Sequence, residues 1–354
     1  MALARWTRVD LNEKLLQIRV KVLVIGQGSM GRRRVRNLLH IGGHEVAAFE
    51  PDPARREQSA RAHGIPTFSS AEEGLDWAPD ALVVSTPPHR HHEYALQAAR
   101  LGLHFFIEAS VVPGETRQLI EAVGDQPIVA APSCTMRFHP GIRTMRQLID
   151  RGAIGRPLAV LHHVGQHLAD WHPWEDYRKF YVGRRETGAA REIVPFELNW
   201  LTYLFGPVAE IEGICRKLSG LEVDIDDLYM ALARLGQDVE ATLVVEVISR
   251  PAIRAARVVG EDGTLVWDFA ARHVLQWSRD DGEWIEHPDP PAIEGPGGAW
   301  VAENMYIEEM RGFLRAIEEG REHFPFSLEE DERILEALAA LERSSSDGRR
   351  AALS

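Results

Sequence analysis

The sequence predicts an α/β chain in two parts: a doubly wound parallel sheet of the Rossmann type, then an α/β domain on an open, mainly antiparallel sheet. Three observations carry this. Strand-like and helix-like segments alternate from residue 20 to about 131 with no hairpin signal, as parallel βαβ winding requires. The first strand runs into glycines spaced G-x-G-x-x-G, and helix-forming sequence follows at once. Past about residue 155 the pattern becomes alternating segments whose turns carry Gly236-Gln237, Glu261-Asp262-Gly263 and Asp280-Asp281-Gly282, as antiparallel hairpins do. The expected boundaries are an N-terminal extension over 1–19, a dinucleotide-binding domain over 20–140 and a second α/β domain over 141–354. The C-terminal helices are free to pack back on the first domain.

Composition narrows the function classes. With 354 residues, 45% hydrophobic and 26% charged, the chain can bury two ordinary cores. Its 53 acidic against 40 basic residues give a net charge of −13, which argues against nucleic acid or an anionic membrane as the main partner. Cys134 and Cys215 form neither a metal-ligand spacing nor a disulfide framework and read as free thiols. Residues 1–20 are broken by charges and contain no apolar signal core, and no run approaches the ~20 apolar residues of a membrane span. A cytoplasmic globular protein is expected.

Taken in order, the first strand is Val20 to Ile25, its branched apolar residues suited to burial on both faces. Gly26-Gln27-Gly28-Ser29-Met30-Gly31 follows. Gly26 turns the chain off the strand, Gly28 lets a pyrophosphate approach the backbone, and Gly31 lets the helix pack on the strand. The helix N-terminus then faces the phosphates with free N–H groups and the positive end of its dipole. A second strand, His44 to Phe49, ends at Glu50, roughly 24 residues past Gly26 and near the offset expected of the acid that holds an adenosine ribose. An acid there favours NAD over NADP; Arg55 and Arg56 keep NADP open. The third strand, Ala81 to Ser85, stops at Thr86-Pro87-Pro88, because proline ends a strand and suits a first helical turn. The fourth, His104 to Glu108, and a fifth, Ile128 to Ala131, complete the first sheet. Arg32, Arg33, Arg34 and Arg36 read as one or two phosphate-reaching cations on an otherwise solvated face. Further on come a strand over Pro157–Gly165, an aromatic and His-rich stretch to Tyr181, and a helix from Glu192 to Leu204 stopped by Gly206-Pro207. Six alternating segments between 208 and 278 and two helices, Val301–Glu319 and Leu328–Ser344, complete the chain.

The chain resembles the GFO/IDH/MocA family of NAD(P)-dependent oxidoreductases from about residue 20 to 350. The resemblance rests on Gly26 to Gly31, on Thr86-Pro87-Pro88 followed by His91, on Arg137-Phe138-His139-Pro140, on Gly152-Ala153-Ile154-Gly155-Arg156-Pro157 and, less specifically, on Ser344 to Arg349. It implies a Rossmann domain, a second domain whose sheet carries substrate contacts on one side and oligomer contacts on the other, and a homodimer or homotetramer. Asp170 to Tyr177 looks like a branch found near sugar and surface-polysaccharide genes. Two departures stand out. Where the family has Glu-Lys-Pro this chain has Glu108-Ala109-Ser110, and the helix that carries an Asp and, four residues later, a His in the family here carries Glu192 and Phe196. The usual proton-handling lysine and histidine are absent, and alanine neither donates nor accepts a proton.

Removing a hydride from an alcohol carbon requires a group to take the hydroxyl proton. Glu192 keeps the acidic position, and burial there would raise its pKa. Glu197, five residues on, lies about 140° round the helix and so faces elsewhere. His172, among His162, His163, His167 and His172, and Tyr177 beside Arg178 and Lys179 are the other candidates. His162 and His163 are adjacent on a strand and point to opposite faces, so no metal site is expected. The catalytic candidates are therefore Glu192, His172 and Tyr177. Cofactor contacts fall on Gly26, Gln27, Gly28, Ser29, Met30, Gly31, Glu50, Arg55, Ser85, Thr86, Pro87, His91, Glu108 and Ala109, and substrate contacts on Arg137, Trp174, Arg178 and Glu197. The expected function is an NAD(P)-dependent oxidoreductase of a sugar, nucleotide-sugar or polyol with a rearranged acid–base set. The alternatives are a non-catalytic sensor or partner subunit, and an enzyme using bound NAD for elimination, epimerisation or hydrolysis without net redox change.

Overall fold

The computed structural model describes residues 19–353, apart from 110, 113, 172, 174, 175, 180, 281 and 294–302. Six strands form the first sheet: β1 (Lys21–Ile25), β2 (Glu45–Phe49), β3 (Thr67–Phe68), β4 (Ala81–Val84), β5 (His104–Ile107) and β6 (Ala130–Pro132). All are parallel, in the order β3-β2-β1-β4-β5-β6. Val22, Leu23, Val24 and Ile25 are buried, as a central strand covered on both faces demands. The order reverses between β1 and β4, so a crevice opens where the carboxyl ends of the strands diverge. Helices α1 (Ser29–Ile41), α2 (Pro53–His63), α3 (Ala71–Asp76), α4 (His91–Leu101) and α5 (Glu115–Val123) cover the sheet. The two-residue β3 has no counterpart among the expected strands, because two residues show no period. Helix α6 (Pro140–Asp150) was also unanticipated, although its start is conventional: Pro140 takes the first position and His139 Nδ1 accepts from the Gly141 N–H at 3.0 Å.

The second sheet has nine strands: β7 (Pro157–Gly165), β8 (Val208–Arg216), β9 (Leu228–Leu235), β10 (Val239–Glu246), β11 (Ile253–Gly260), β12 (Gly263–Asp268), β13 (His273–Ser278), β14 (Trp284–Pro288) and β15 (Ala351–Ala352). Their order is β14-β13-β12-β11-β7-β10-β9-β8-β15, with β7 and β10 parallel and every other pair antiparallel. Helix α7 (Ala189–Phe205) starts three residues earlier than the sequence pattern suggests and covers the inner face, with Val194, Leu198, Trp200, Leu201 and Phe205 buried. Leu161, Ile214, Met230 and Leu232 stay exposed on the opposite face.

Helices α8 (Glu303–Glu319) and α9 (Leu328–Asp347) return to the first domain. Three of the four arginines of α1 fasten α8 there instead of forming the solvated face expected of them. Arg33 and Arg36 pair with Glu303 at 3.0 and 3.6 Å, and the fully buried Arg34 bridges Glu108 (2.6 Å) and Glu309 (2.7 Å). Glu309 also accepts from Ser133 Oγ (3.0 Å), the Cys134 N–H (2.6 Å) and Thr135 Oγ1 (2.8 Å). Removing one member of such a network strands the others in a medium that cannot solvate them. Arg34→Met is therefore expected to cost about 3–5 kcal/mol of stability, read as a lower urea midpoint. Among the described residues no helix is long and apolar enough to cross a membrane.

Candidate active site

The glycine loop divides its labour by geometry. Gly26 has a φ of +91°, which a side chain would strain, and its N–H donates to Phe49 O at 2.8 Å. A Cβ on Gly31 would lie 1.9 Å from Gly26 O, so only glycine lets α1 rest against the loop. A Cβ on Gly28 would meet nothing within 4 Å. Gly28 thus borders open space at the start of α1. That helix has no side-chain cap and no acidic residue in its first turn, so its leading N–H groups remain for an anion. The cradle fits a pyrophosphate.

At the end of β2, Glu50 is buried, accepting from the Gln27 N–H (2.8 Å) and the Asp52 N–H (3.0 Å). The Gln27 side chain is spent on structure, its amide donating to Gly26 O and its oxygen accepting from Ser59. Ser29 and Met30 open α1 beside the cradle, and Arg32 reaches back to Gln27 O at 3.0 Å. At the end of β4, Ser85 donates to Glu108 at 3.3 Å, and Thr86 Oγ1 is buried with no hydrogen-bond partner among the described residues. Pro87 precedes the turn into α4. His91 does not face the crevice as a free ring: it is buried, its Nε2 donating to Thr86 O at 2.6 Å. Burial pushes its pKa down to about 4, so it shapes the turn as a neutral ring.

Beyond the end of β5 lies the unusual part. Arg191 on α7 donates to Val111 O (2.7 Å) and ties the first turn of α7 to the segment after β5. Glu192, the next residue, is half-buried there, with its Oε2 fully enclosed. Tyr181 donates to its Oε1 at 3.3 Å, while Oε2 has no hydrogen-bond partner among the described residues. Burial, reinforced by the nearby charge of Glu108 and only partly offset by Tyr181, raises the Glu192 pKa to about 7. Ala109 lines two small cavities that share Asp331; the second also takes in Thr135, Met136, Phe196 and Asn199. Asp331 is likewise pushed up to about 7 by burial, although Thr116 donates to it at 3.1 Å.

The comparisons agree with this layout. The family model for an oxidoreductase family with an NAD-binding Rossmann fold matches residues 20–127, and the GFO/IDH/MocA C-terminal domain model matches residues 142–266. The chain belongs to the GFO/IDH/MocA oxidoreductase family. Its N-terminal domain is an NAD-binding Rossmann fold. Relatives include a levoglucosan dehydrogenase of Pseudarthrobacter phenanthrenivorans, 26% identical over 77% of this chain and 80% of that protein. Another is inositol 2-dehydrogenase 1 of Saccharopolyspora erythraea, 25% identical over 85% and 95%. A solved levoglucosan dehydrogenase in complex with NADH and levoglucosan shares the fold at a TM-score of 0.82 and 18% identity, covering 94% of this chain and 99% of that one.

Several residues expected at the site of this GFO/IDH/MocA protein lie elsewhere. Glu197 is fully buried against the second sheet, where His162 Nε2 and Trp200 Nε1 donate to it, each at 2.7 Å, and Arg254 pairs with it at 2.7 Å. Burial alone would raise its pKa, but Arg254 and His162 overcome that and hold it down at about 2. Arg137 is a buried strut between Asn199, Pro325 O and Glu330. Tyr177 and Arg178 sit with Glu222 and Asp176 on a separate surface cluster, because the chain there forms short 3₁₀ turns that carry Tyr181, not Tyr177, to Glu192. Arg55 is exposed on α2, where its backbone N–H is capped by Asp52. His172 and Trp174 lie outside the described residues. Sequence reasoning missed Tyr181, Asp331 and Arg254. Tyr181 alone left a trace, as the last aromatic of the stretch that contains Tyr177.

Proposed function

We propose that the chain is an NAD-dependent dehydrogenase of a sugar or polyol in which Glu192 takes the proton of the reacting hydroxyl. The observation that carries this is the half-satisfied carboxyl of Glu192, its Oε2 enclosed and unpartnered among the described residues, on the helical turn that Arg191 ties to the segment after β5. When bound, NAD supplies the hydride acceptor. The C–H electron pair leaves as hydride, the O–H proton passes to Glu192 Oε2, and the substrate carbon becomes a carbonyl. A pKa of about 7 leaves Glu192 ionised in a large share of molecules near neutral pH and basic enough to accept that proton. Tyr181 holds the carboxyl in place and supports its anionic form. Glu50, an acceptor-only group at the end of β2, favours NAD over NADP. The dehydrogenase relatives act on levoglucosan and inositol by their names, which supports a polyol class here. The exposed Leu161, Met230 and Leu232 on the outer face of the second sheet support a homodimer or homotetramer, and the net charge and free thiols a cytoplasmic setting.

The test is direct. Purified protein is mixed with NAD and a panel of inositols, anhydrosugars and sugar acids, and formation of reduced nicotinamide is followed by absorbance. Turnover on some members is expected; tight NADH binding with no turnover on any would overturn the dehydrogenase reading. With a substrate in hand, kcat/KM for oxidation should rise with pH through about 7 and level off above it, because only ionised Glu192 acts as base. A profile flat across that range would remove Glu192 from this role.

A further inference from the structure

Arg254 opens the inner face of β11, paired in register with Val164 of β7. Its side chain is 17% exposed, and the interactions of its guanidinium are incomplete. One terminal nitrogen meets Glu197, the other has only the Met136 sulfur at 3.9 Å, and Nε is buried without a hydrogen-bond partner among the described residues. The rings of Phe196 and Phe269 lie 5.5 and 5.6 Å from the guanidinium carbon. Met136 and Phe196 also line the cavity that reaches Ala109. A flat, under-used cation thus stands between two aromatic rings, in contact with Met136 and Phe196 of that cavity's wall.

Nor does Arg254 have Glu197 to itself. His162 Nε2 and Trp200 Nε1 each lie 2.7 Å from Glu197 Oε2, which leaves only Oε1 to the guanidinium. Arg254 also bears on His139, whose pKa is pushed down to about 3 by burial and by the charges of Arg254 and Arg272.

We infer that Arg254 anchors a carboxylate of the substrate, so that the polyol oxidised here is a sugar acid. The inference rests on the dehydrogenase reading above and supplies its substrate class. Two carboxylate oxygens match the planar fork of a guanidinium, and the dry aromatic walls strengthen the pairing. Phe196 lies one turn beyond Glu192, about 6 Å along α7, which leaves room for a short carbon chain between the reacting hydroxyl and the acid group.

The experiment compares matched pairs on the NADH- or NAD-loaded protein: D-glucuronate with D-glucose, D-galacturonate with D-galactose, and D-gluconate with D-glucitol. Melting temperature is read with NADH and turnover with NAD. The acid of at least one pair should raise Tm more than its neutral partner and exceed it in kcat/KM by about 10–100-fold. Arg254→Lys, which keeps a cation beside Glu197, should collapse that ratio through KM with kcat and NADH affinity little changed. Acids that raise Tm without turnover would uphold the anchor and overturn the dehydrogenase reading. Neutral sugars that match the acids, no response to any acid, or an undiminished preference in Arg254→Lys would overturn the anchor.

Discussion

Glu192→Gln is expected to lower kcat for alcohol oxidation by about 10²–10⁴-fold, the usual worth of a positioned general base. The substitution keeps the shape of the side chain and the acceptor for Tyr181, so NADH affinity and the fold should survive. Stability should behave in a way specific to this residue. Because the folded-state pKa of Glu192 is raised to about 7, its contribution is fully present below its unfolded pKa and is lost as pH rises through about 7. Glutamine carries no such charge, so the variant should lose less stability than the parent between pH 6 and pH 8 on thermal unfolding, a range taken about the raised pKa. A slow enzyme with normal NADH binding and a flatter stability profile identifies Glu192 as a half-buried, functional acid. Unchanged turnover would mean that another group accepts the proton. Tyr181→Phe should be milder: it removes the 3.3 Å bond that favours the ionised carboxyl, so the pH–rate profile should shift upward in pH.

What the sequence disclosed depended on the range of the forces involved. The glycine motif, Glu50 and the prolines after β4 were legible because each is a local matter of backbone sterics and spacing. Period-2 alternation assigned His162 and His163 to opposite faces, and they bond Glu197 and Glu246 respectively. Alternation does not name the partner across a layer, however. Helix geometry turned Glu197 away from Glu192 and left it among the expected substrate contacts, whereas the sheet register puts His162 and Arg254 against it. The arginines of α1 looked like a solvated run because Glu303 and Glu309 lie some 270 residues away in sequence. Tyr181 reaches Glu192 only after the chain from Leu168 folds into three short turns that no apolar period announces. Long-range pairing of this kind decides which acid is spent as a strut, like Glu197, and which keeps an oxygen unpartnered among the described residues, like Glu192.

The second and third glycines of the loop, Gly28 and Gly31, should separate binding from folding. Gly28→Val adds a side chain into open space, since its Cβ would meet no atom within 4 Å, and should change stability by no more than about 1 kcal/mol. The same branches occupy the approach to the backbone at the uncapped start of α1, so NADH affinity should fall by at least about 100-fold in a fluorescence titration. Gly31→Ala does the reverse in its first effect. Its methyl group would sit 1.9 Å from Gly26 O, and relieving that contact must push α1 away from β1. A loss of about 1–3 kcal/mol or more is expected, seen as a lower Tm without any ligand present. NADH affinity falls there too, because the displaced helix no longer presents its N–H groups to the loop. A Gly28→Val protein that folds normally yet retains full NADH affinity would move the cofactor away from this crevice, and with it the case for Glu192.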